Sequence, residues 1–543
     1  MKKNIIMKLF ALILAACFIF SGCGDNVAED AGGKGVNPNG TGETAEDSLI
    51  NSDLLEVLNA FKEKREKFSK LNQENLSGNV AIEVSLGDSF GEFMDSVSGE
   101  SVSSVFDQMG LRSAKLSLDY DRNSDLYSVS GDAYVNNAYI ANISAIVNFE
   151  KGKEFLYYSS DDLFEGTIGM NMADVFGDVD FGNVNALYDA EAEFLSAMDE
   201  ILDAEKVASM LAEYLEAAEA ELGEAEESTE NVEVEGVSQK LDSVTYTVDE
   251  EIANNVAIAV LEKFKDDEDV KESLISFLNA YLDLSEAVGE DLDLESALGT
   301  DSIDEAYDDM ISEVDTMIAE LSAQTEFDDT VVDFVLYYSG SELAGVCMSY
   351  DNSEVKFVTV RNGNDVATEC SITDDYNYGG LKLVGNDKGG VYNGVLTCGE
   401  SFDDAVEIYI EDFDINELKK GNLDMTVALY SDTLSKADSS NMFADDFAMK
   451  FTVKSDYVSS SEVAFSVFDG NGEILTVSAE MTYDDDADKI SVPSKYSDIN
   501  DDDAMDVIGE SLMSDGIKSI WDNLKAAGIN EQMLFSLFGS MMM

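Results

Sequence analysis

The 543-residue chain contains no histidine, and that absence removes most routes to catalysis. Ser-His-Asp and Cys-His nucleophiles need an imidazole base, and histidine-ligated metals need an imidazole donor. A Ser-Lys nucleophile is the remaining choice, and Ser353 with Lys356 is the single Ser-x-x-Lys spacing. The run Ser353-Glu354-Val355-Lys356-Phe357-Val358 reads as a strand, where residues three apart face opposite ways, so no working pair is expected. Paired carboxylates could hydrolyse glycosides, yet 113 acidic residues make any chosen pair arbitrary. The chain is read as a nonenzymatic protein with no catalytic residue, no cofactor and no dedicated metal site.

Calcium is the divalent cation that loops rich in aspartate could hold. Asp498-Ile499-Asn500-Asp501-Asp502-Asp503 offers the first, third and fifth ligand positions of an EF-hand loop, but Asp503 replaces the required glycine and Gly509 the closing glutamate. Asp484-Asp485-Asp486 with Asp488 is expected to be a solvated loop, with weak divalent cation binding as the most it could do. Beyond Cys17 and Cys23, the cysteines are Cys347, Cys370 and Cys398, without a CxxC pair, so a zinc site is not expected. Each lies in a strand-like run with apolar neighbours, which predicts buried free thiols; one disulfide among the three stays open.

Acidic residues outnumber basic ones 113 to 32. Nucleic acid is therefore excluded as a partner, because phosphate binding needs clustered cations. Broad contact with an anionic membrane is disfavoured as well. Apolar residues make up 45% of the chain, enough for a real core, so the acidity belongs to the surface.

The N-terminus carries Lys2, Lys3 and Lys8, then 12 apolar residues from Leu9 to Phe20. A helix needs about 20 to span a bilayer core, so this run reads as a signal peptide over residues 1–22. Phe20-Ser21-Gly22-Cys23 resembles a bacterial lipobox. The resemblance implies that Cys23 receives a diacylglyceryl group and becomes the first residue of the mature chain, placing the protein on the extracytoplasmic face of the cell membrane. Leu14-Ala15-Ala16-Cys17 fits the lipobox letters better, but processing there would shorten the apolar run to Leu9–Ile13 and strand Phe18-Ile19-Phe20 at the mature terminus. Two acyl chains hold stably where one is marginal.

Residues 23–48 read as a lipidated tether, rich in Gly, Asn and Asp, with a reach of roughly 27 Å. A helix is predicted from about Asp53 to Leu71, with Leu54, Leu55, Leu58, Phe61, Phe68 and Leu71 on one stripe. Its other face gathers Lys62, Lys64, Arg65, Lys67 and Lys70, the one basic cluster of the chain. That cluster reads as a solvated face partly paired with Glu63 and Glu66, or as a contact for anionic lipid headgroups or for the protein's own acidic surface.

Residues 49–188 combine that helix with antiparallel strands at Val80–Leu86, Ala114–Tyr120, Leu126–Asn136, Tyr139–Phe149 and Phe155–Tyr158, and a helical insert within 88–110. Residues 189–326 form a helical segment, with an acidic mobile connector at Glu221–Gly236 and one strand near 241–248. Residues 327–492 hold ten or so further strands, with hairpin turns at Asn362–Asp365, Asn386–Gly389 and Asp469–Gly472. Residues 493–543 supply an acidic loop and a closing helix, with Gly528 as its C-cap. The fold class is thus α+β: large antiparallel, curved, half-barrel-like sheets with amphipathic helices packed on one face.

This order of elements, with Thr245-Tyr246-Thr247-Val248-Asp249, Ile490-Ser491-Val492-Pro493 and Ile520–Ile529, is similar to uncharacterised surface lipoproteins of Gram-positive anaerobes, which have no assigned activity. At the level of fold, a curved sheet holding apolar helices also resembles the half-barrels of lipoprotein carriers and mycobacterial lipid-binding lipoproteins. That likeness implies acyl chains on the concave face, although this chain is about twice as long and far more acidic. The expected function is a noncatalytic, membrane-anchored lipoprotein binding an apolar or lipid-like ligand between sheet and helices. The alternative is a structural or protein-interaction lipoprotein with a filled core.

Overall fold

The computed structural model describes residues 52–73, 75–98, 103–123, 125–150, 153–172, 184–201, 203–288, 300, 302–327, 331–340, 342–350, 353–373, 378–399, 406–431, 447–484, 489–530 and 532. Helix α1 (Ser52–Gln73) and strand β1 (Asn75–Leu86) precede the short helices α2 (Phe90–Ser98) and α3 (Ser103–Met109). Strands β2 (Ser113–Asn123), β3 (Leu126–Val135), β4 (Ala138–Asn148), β5 (Phe155–Ser160) and β6 (Phe164–Asn171) follow. Next come helices α4 (Val184–Ile201) and α5 (Ala204–Leu222), strands β7 (Glu226–Val234) and β8 (Val237–Asp249), and helices α6 (Glu250–Lys265), α7 (Glu268–Ala287) and α8 (Ile303–Ser322). Strands β9 (Val331–Ser339), β10 (Glu342–Tyr350), β11 (Ser353–Asn362), β12 (Asp365–Thr373), β13 (Tyr378–Asp387), β14 (Val391–Gly399) and β15 (Val406–Asp414) lead to the one-turn helix α9 (Ile415–Leu418). The chain closes with β16 (Leu423–Tyr430), β17 (Ala448–Ser455), β18 (Ser460–Asp469), β19 (Gly472–Asp484), β20 (Ser497–Asp498), α10 (Asp502–Ser511), a π-helical turn at Leu512–Gly516, and α11 (Ile517–Ala526).

The protein is therefore a mixed α+β chain with 20 strands among the described residues. The strands pair antiparallel except for the short ladder of β20 on β6. Two compact units share the chain: Met1–Lys62 with Asp189–Gly421, and Glu63–Tyr188 with Asn422–Met543. They are called unit 1 and unit 2 below.

In unit 1 each strand from β7 to β15 pairs with the next, across short connections except between β8 and β9, where α6, α7 and α8 intervene. Alternation then sorts side chains by face. On one face Val248, Phe334 and Val346 meet Leu222 of α5 and Val256 and Val260 of α6. The helices start where their caps allow: Asp249 and Asp267 accept the N–H groups of Ile252 and Val270, opening α6 and α7. On the other face Val232, Val234, Val237 and Leu241 pack against Val358, Val360 and Ala367. In a flat sheet β8 and β13 would lie five ladder steps, roughly 24 Å, apart. Instead the β7–β8 turn reaches β13, where Lys382 Nζ meets Glu235 Oε1 at 2.6 Å. The hairpin has folded back over β11–β13 and closed a core.

In unit 2 the ladder runs β16-β17-β18-β19-β1-β2-β3-β4-β5-β6. Its central pairing joins segments about 400 residues apart in sequence, Ile82 standing opposite Ala479. Phe90 and Phe93 of α2 pack on Met449, Val467 and Leu475 at one end. Helix α11 docks on β4, with Asn523 Nδ2 donating to the Ile140 carbonyl at 2.8 Å.

Several expectations need correction. The Glu221–Gly236 connector is mostly strand β7: its glutamates alternate with Val232 and Val234, and Glu235 and Gly236 take the positive φ values of 47° and 83° that a tight hairpin turn needs. Strand β6 extends the series beyond the expected strands, its apolar pattern diluted by Gly166 and Gly169. The closing helix is split by the π turn. Cys370 is exposed, not buried, because its neighbours on β12 put it on the open side of the sheet; Cys347 is buried, Cys398 half-buried, and all three are free.

Candidate apolar binding face

The unit 2 sheet sorts its residues sharply by face. Positions sharing a face with Ile82 form unbroken apolar rows across the ladder. One row runs Val427, Phe451, Phe465, Val477, Val84, Ala114 and Val135. Another runs Val463, Ala479, Ile82, Leu116, Ala133 and Ala141, and a third continues through Val80, Leu118, Gly131 and Ile143. The reverse face is polar, and its side chains bond across strands: Asn79 to Ser117 and Asp119, Ser130 to Ser144, Thr426 to Thr452, and Ser466 to Thr476.

An apolar face of this kind ordinarily marks a core. Here its centre is open: Ile82 is 42% exposed, Leu116 40%, Ile143 47%, Phe451 44%, Phe465 38% and Val477 37%. These residues spread over β17, β18, β19, β1, β2 and β4, a width of roughly 29 Å at ladder spacing. Contiguous exposed apolar area of this extent is what binding grooves and interaction sites display, and scattered surface leucines do not produce it. At its margins the face closes, over Leu156, Met170 and Met172 on one side and under α2 on the other.

Unit 1 carries a smaller relative of this surface. Beyond the helix-covered part of its sheet, Val355, Ile372, Leu381 and Val406 are exposed on one face of β11, β12, β13 and β15. Cys370 and Cys398 flank Leu381 in the same ladder row. An intervening strand puts them about 10 Å apart, beyond disulfide reach. Cys347 faces the opposite way, into the closed core, where burial and then the adjacent Glu354 carboxylate push its thiol up to about 12.

The residues singled out for chemistry are dispersed. Ser353 and Lys356 lie on opposite faces of β11, and Lys356 Nζ meets Glu369 Oε2 at 3.0 Å in the closed core. Glu369 also faces Lys382 at 3.8 Å and accepts the buried Ser371 hydroxyl at 3.2 Å. Asp501 caps α10 through the Ala504 N–H, and Asp498 accepts the Asn500 N–H. Asp485, Asp486 and Asp488 lie outside the described residues, and among the described ones no group of three or more acidic or thiol side chains is placed to hold a metal. On α1, Lys62 Nζ pairs with Asp203 Oδ2 at 2.8 Å, Lys64 and Arg65 are half-buried, and Lys67 is exposed. Cys23, its tether and the Lys70 side chain lie outside the described residues. Among those that are described, no helix is long and apolar enough to cross a membrane.

Sequence reasoning did not find the open face. Its signal was present strand by strand, as in Val80-x-Ile82-x-Val84-x-Leu86, but a strand's pattern does not say whether its apolar side will be covered. No family model matches the chain, and no curated protein or solved structure matches it either.

Proposed function

We propose that the protein is a noncatalytic lipoprotein, anchored through diacylated Cys23 on the extracytoplasmic face of the cell membrane, that binds an apolar, lipid-like ligand on the open face of its unit 2 sheet. The observation carrying this reading is the in-register exposure of Ile82, Leu116, Ile143, Phe451 and Phe465 on one face. In this reading the sheet is curved and half-barrel-like, and the helices on that side, with Phe90 and Phe93 of α2 at the margin, hold the ligand against it. The resemblance to half-barrel lipid carriers supports the same ligand class, and a tether from Cys23 keeps the domain within reach of lipid.

Native mass spectrometry of the mature chain, purified without detergent, tests the ligand. Adducts of lipid mass are expected, and a Leu116→Glu, Phe465→Glu double variant loses them while its circular dichroism is unchanged. A wild-type chain with no adduct and no affinity for fatty probes overturns the reading. The anchor is tested separately: acyl labelling is lost in Cys23→Ala and kept in Cys17→Ala, and the opposite pattern refutes the choice of cysteine.

A second reading, a structural or protein-interaction lipoprotein with a filled core, is favoured by unit 1. Leu241, Val358, Val360 and Ala367 have no exposed surface there and leave no room for a ligand. Crosslinking of the intact protein to a surface protein, with no lipid adduct, would select it.

A further inference from the structure

Among the described residues, the open face of unit 2 carries one cation. At the ladder-paired positions of β16–β19 and β1–β6 that share a face with Ile82, Arg122 is the single basic side chain among the described residues, and the acidic one, Asp469, sits at the β18–β19 turn. The reverse face holds Glu83, Lys115, Asp119, Asp132, Lys450, Glu462 and Glu480. A cation on the apolar side of so acidic a protein is an exception to its pattern.

Arg122 sits at the end of β2, opposite Leu76 on β1 and Tyr127 on β3. It is only 6% exposed. Its guanidinium lies 5.5 Å from the centre of the Tyr127 ring, and that ring meets Phe149 edge-on at 5.2 Å. One position further along the face is Tyr120, whose ring tip lies over Gly78: a Cβ there would fall 2.6 Å from the tyrosine hydroxyl. Burial and then Tyr483 push the Tyr120 phenol up to about 12, so it stays a neutral hydrogen-bond donor.

From Arg122 the face runs through Tyr120 and Leu118 to Leu116, roughly 20 Å along the strand. Burial falls along that path: Arg122 is buried, Tyr120 and Leu118 are half-buried, Leu116 and Ala114 are exposed. Gly131 and Ala133 on β3 keep the floor beside Leu118 and Leu116 low. One acyl chain occupies about 15 Å, half the bilayer hydrocarbon core. The path thus has the length of one chain, with a deep cationic end and an open apolar end.

We infer that this face takes an anionic single-chain amphiphile, its acidic head against Arg122 and its chain across Leu118, Leu116, Val80 and Ile82. The guanidinium fork matches carboxylate and phosphate alike, and the apolar rows offer nothing that would discriminate among chains. This inference rests on the apolar-ligand reading and adds to it the charge and orientation of the ligand.

The test compares a fluorescent long-chain fatty acid with the matching fatty alcohol, both titrated into the mature chain without detergent. The wild type binds the acid about tenfold more tightly, the difference one charge-assisted bond makes. In Arg122→Gln that preference disappears while affinity for the alcohol is kept; Arg122→Lys retains part of it. Should Arg122→Gln not fold, the wild type still decides, because its preference vanishes as pH falls below about 4, where the carboxylic acid becomes neutral. Displacement by a lysophosphatidate more readily than by a fatty acid assigns the head to phosphate, and the reverse order to carboxylate. Equal affinity for acid and alcohol at neutral pH overturns the headgroup assignment and leaves the apolar reading standing. Binding of neither probe overturns both.

Discussion

The closed core of unit 1 and the open face of unit 2 are built from the same pattern, strands with every second residue apolar in an antiparallel ladder. In unit 1 the β7–β8 hairpin returns over the sheet, so Leu241 and Val358 touch and lose all exposure. In unit 2 the rows through Ile82, Leu116 and Phe465 meet no such return at their centre among the described residues. The difference lies in the acidic segment after α5. Where Glu226–Val234 forms a strand and turns at Glu235-Gly236, a sheet becomes a core; without it, the same alternation presents a surface. Polar residues follow suit. In the closed core Glu369 is paired with Lys356 and Lys382, and among the described residues of the open face Arg122 is the one cation.

The sharpest way to break this comparison is chemical. At mildly alkaline pH, Cys347 in the closed core should alkylate on the order of a hundredfold more slowly than exposed Cys370: burial and then Glu369 raise the Cys370 thiol as well, but Cys347 is raised to about 12, where almost no thiolate is left, and is closed off from the reagent. Peptide mapping after timed alkylation checks it; comparable rates would mean that the core is open. Leu241→Ala should lower stability by about 3 kcal/mol in denaturant unfolding, the cost of a cavity in a packed site. Glu369→Gln should cost about 2 kcal/mol, since it leaves two largely buried lysines facing a neutral amide. Gly236→Ala forces an alanine to the left-handed φ of 83° and should cost about 1 kcal/mol, loosening the hairpin that makes the core. Ile82→Thr, on the open face, should change stability by no more than about 0.5 kcal/mol while weakening binding of an apolar probe. If Ile82→Thr unfolds the protein as Leu241→Ala does, the open face is a core after all.

Much of the local structure was legible. Helix α8 announces itself through Ile303, Tyr307, Met310, Val314 and Leu321 at helical spacing, and the turns after β11, β13 and β18 through Asn, Asp and Gly. What the chain does not spell out is partner choice across distance. Nothing in Val80–Leu86 names Leu475–Met481 as its neighbour, because register between remote strands is set by the whole assembly. Strand β7 looks like a solvated link from sequence, because nine residues with four glutamates show a strand only once Val232 and Val234 find a core. The candidate face suffered the same limit: Leu116 and Leu241 are indistinguishable by pattern, and only the fold decides which one is covered. Arg122 is visible as a charge in a strand, but its place as the one cation on that face, among the described residues, follows only from the pairing of all ten strands.

Alternation on β2 provides the most direct test of the central claim. A photo-crosslinking residue placed at Leu116 points to the open face, and the same residue at Ser117 points to the polar one. Irradiated in intact membranes and analysed by mass spectrometry, the chain is expected to acquire a lipid-mass adduct from position 116 and none from position 117. Equal adducts at both positions, or a protein adduct at 116 with no lipid, would contradict a lipid-binding face.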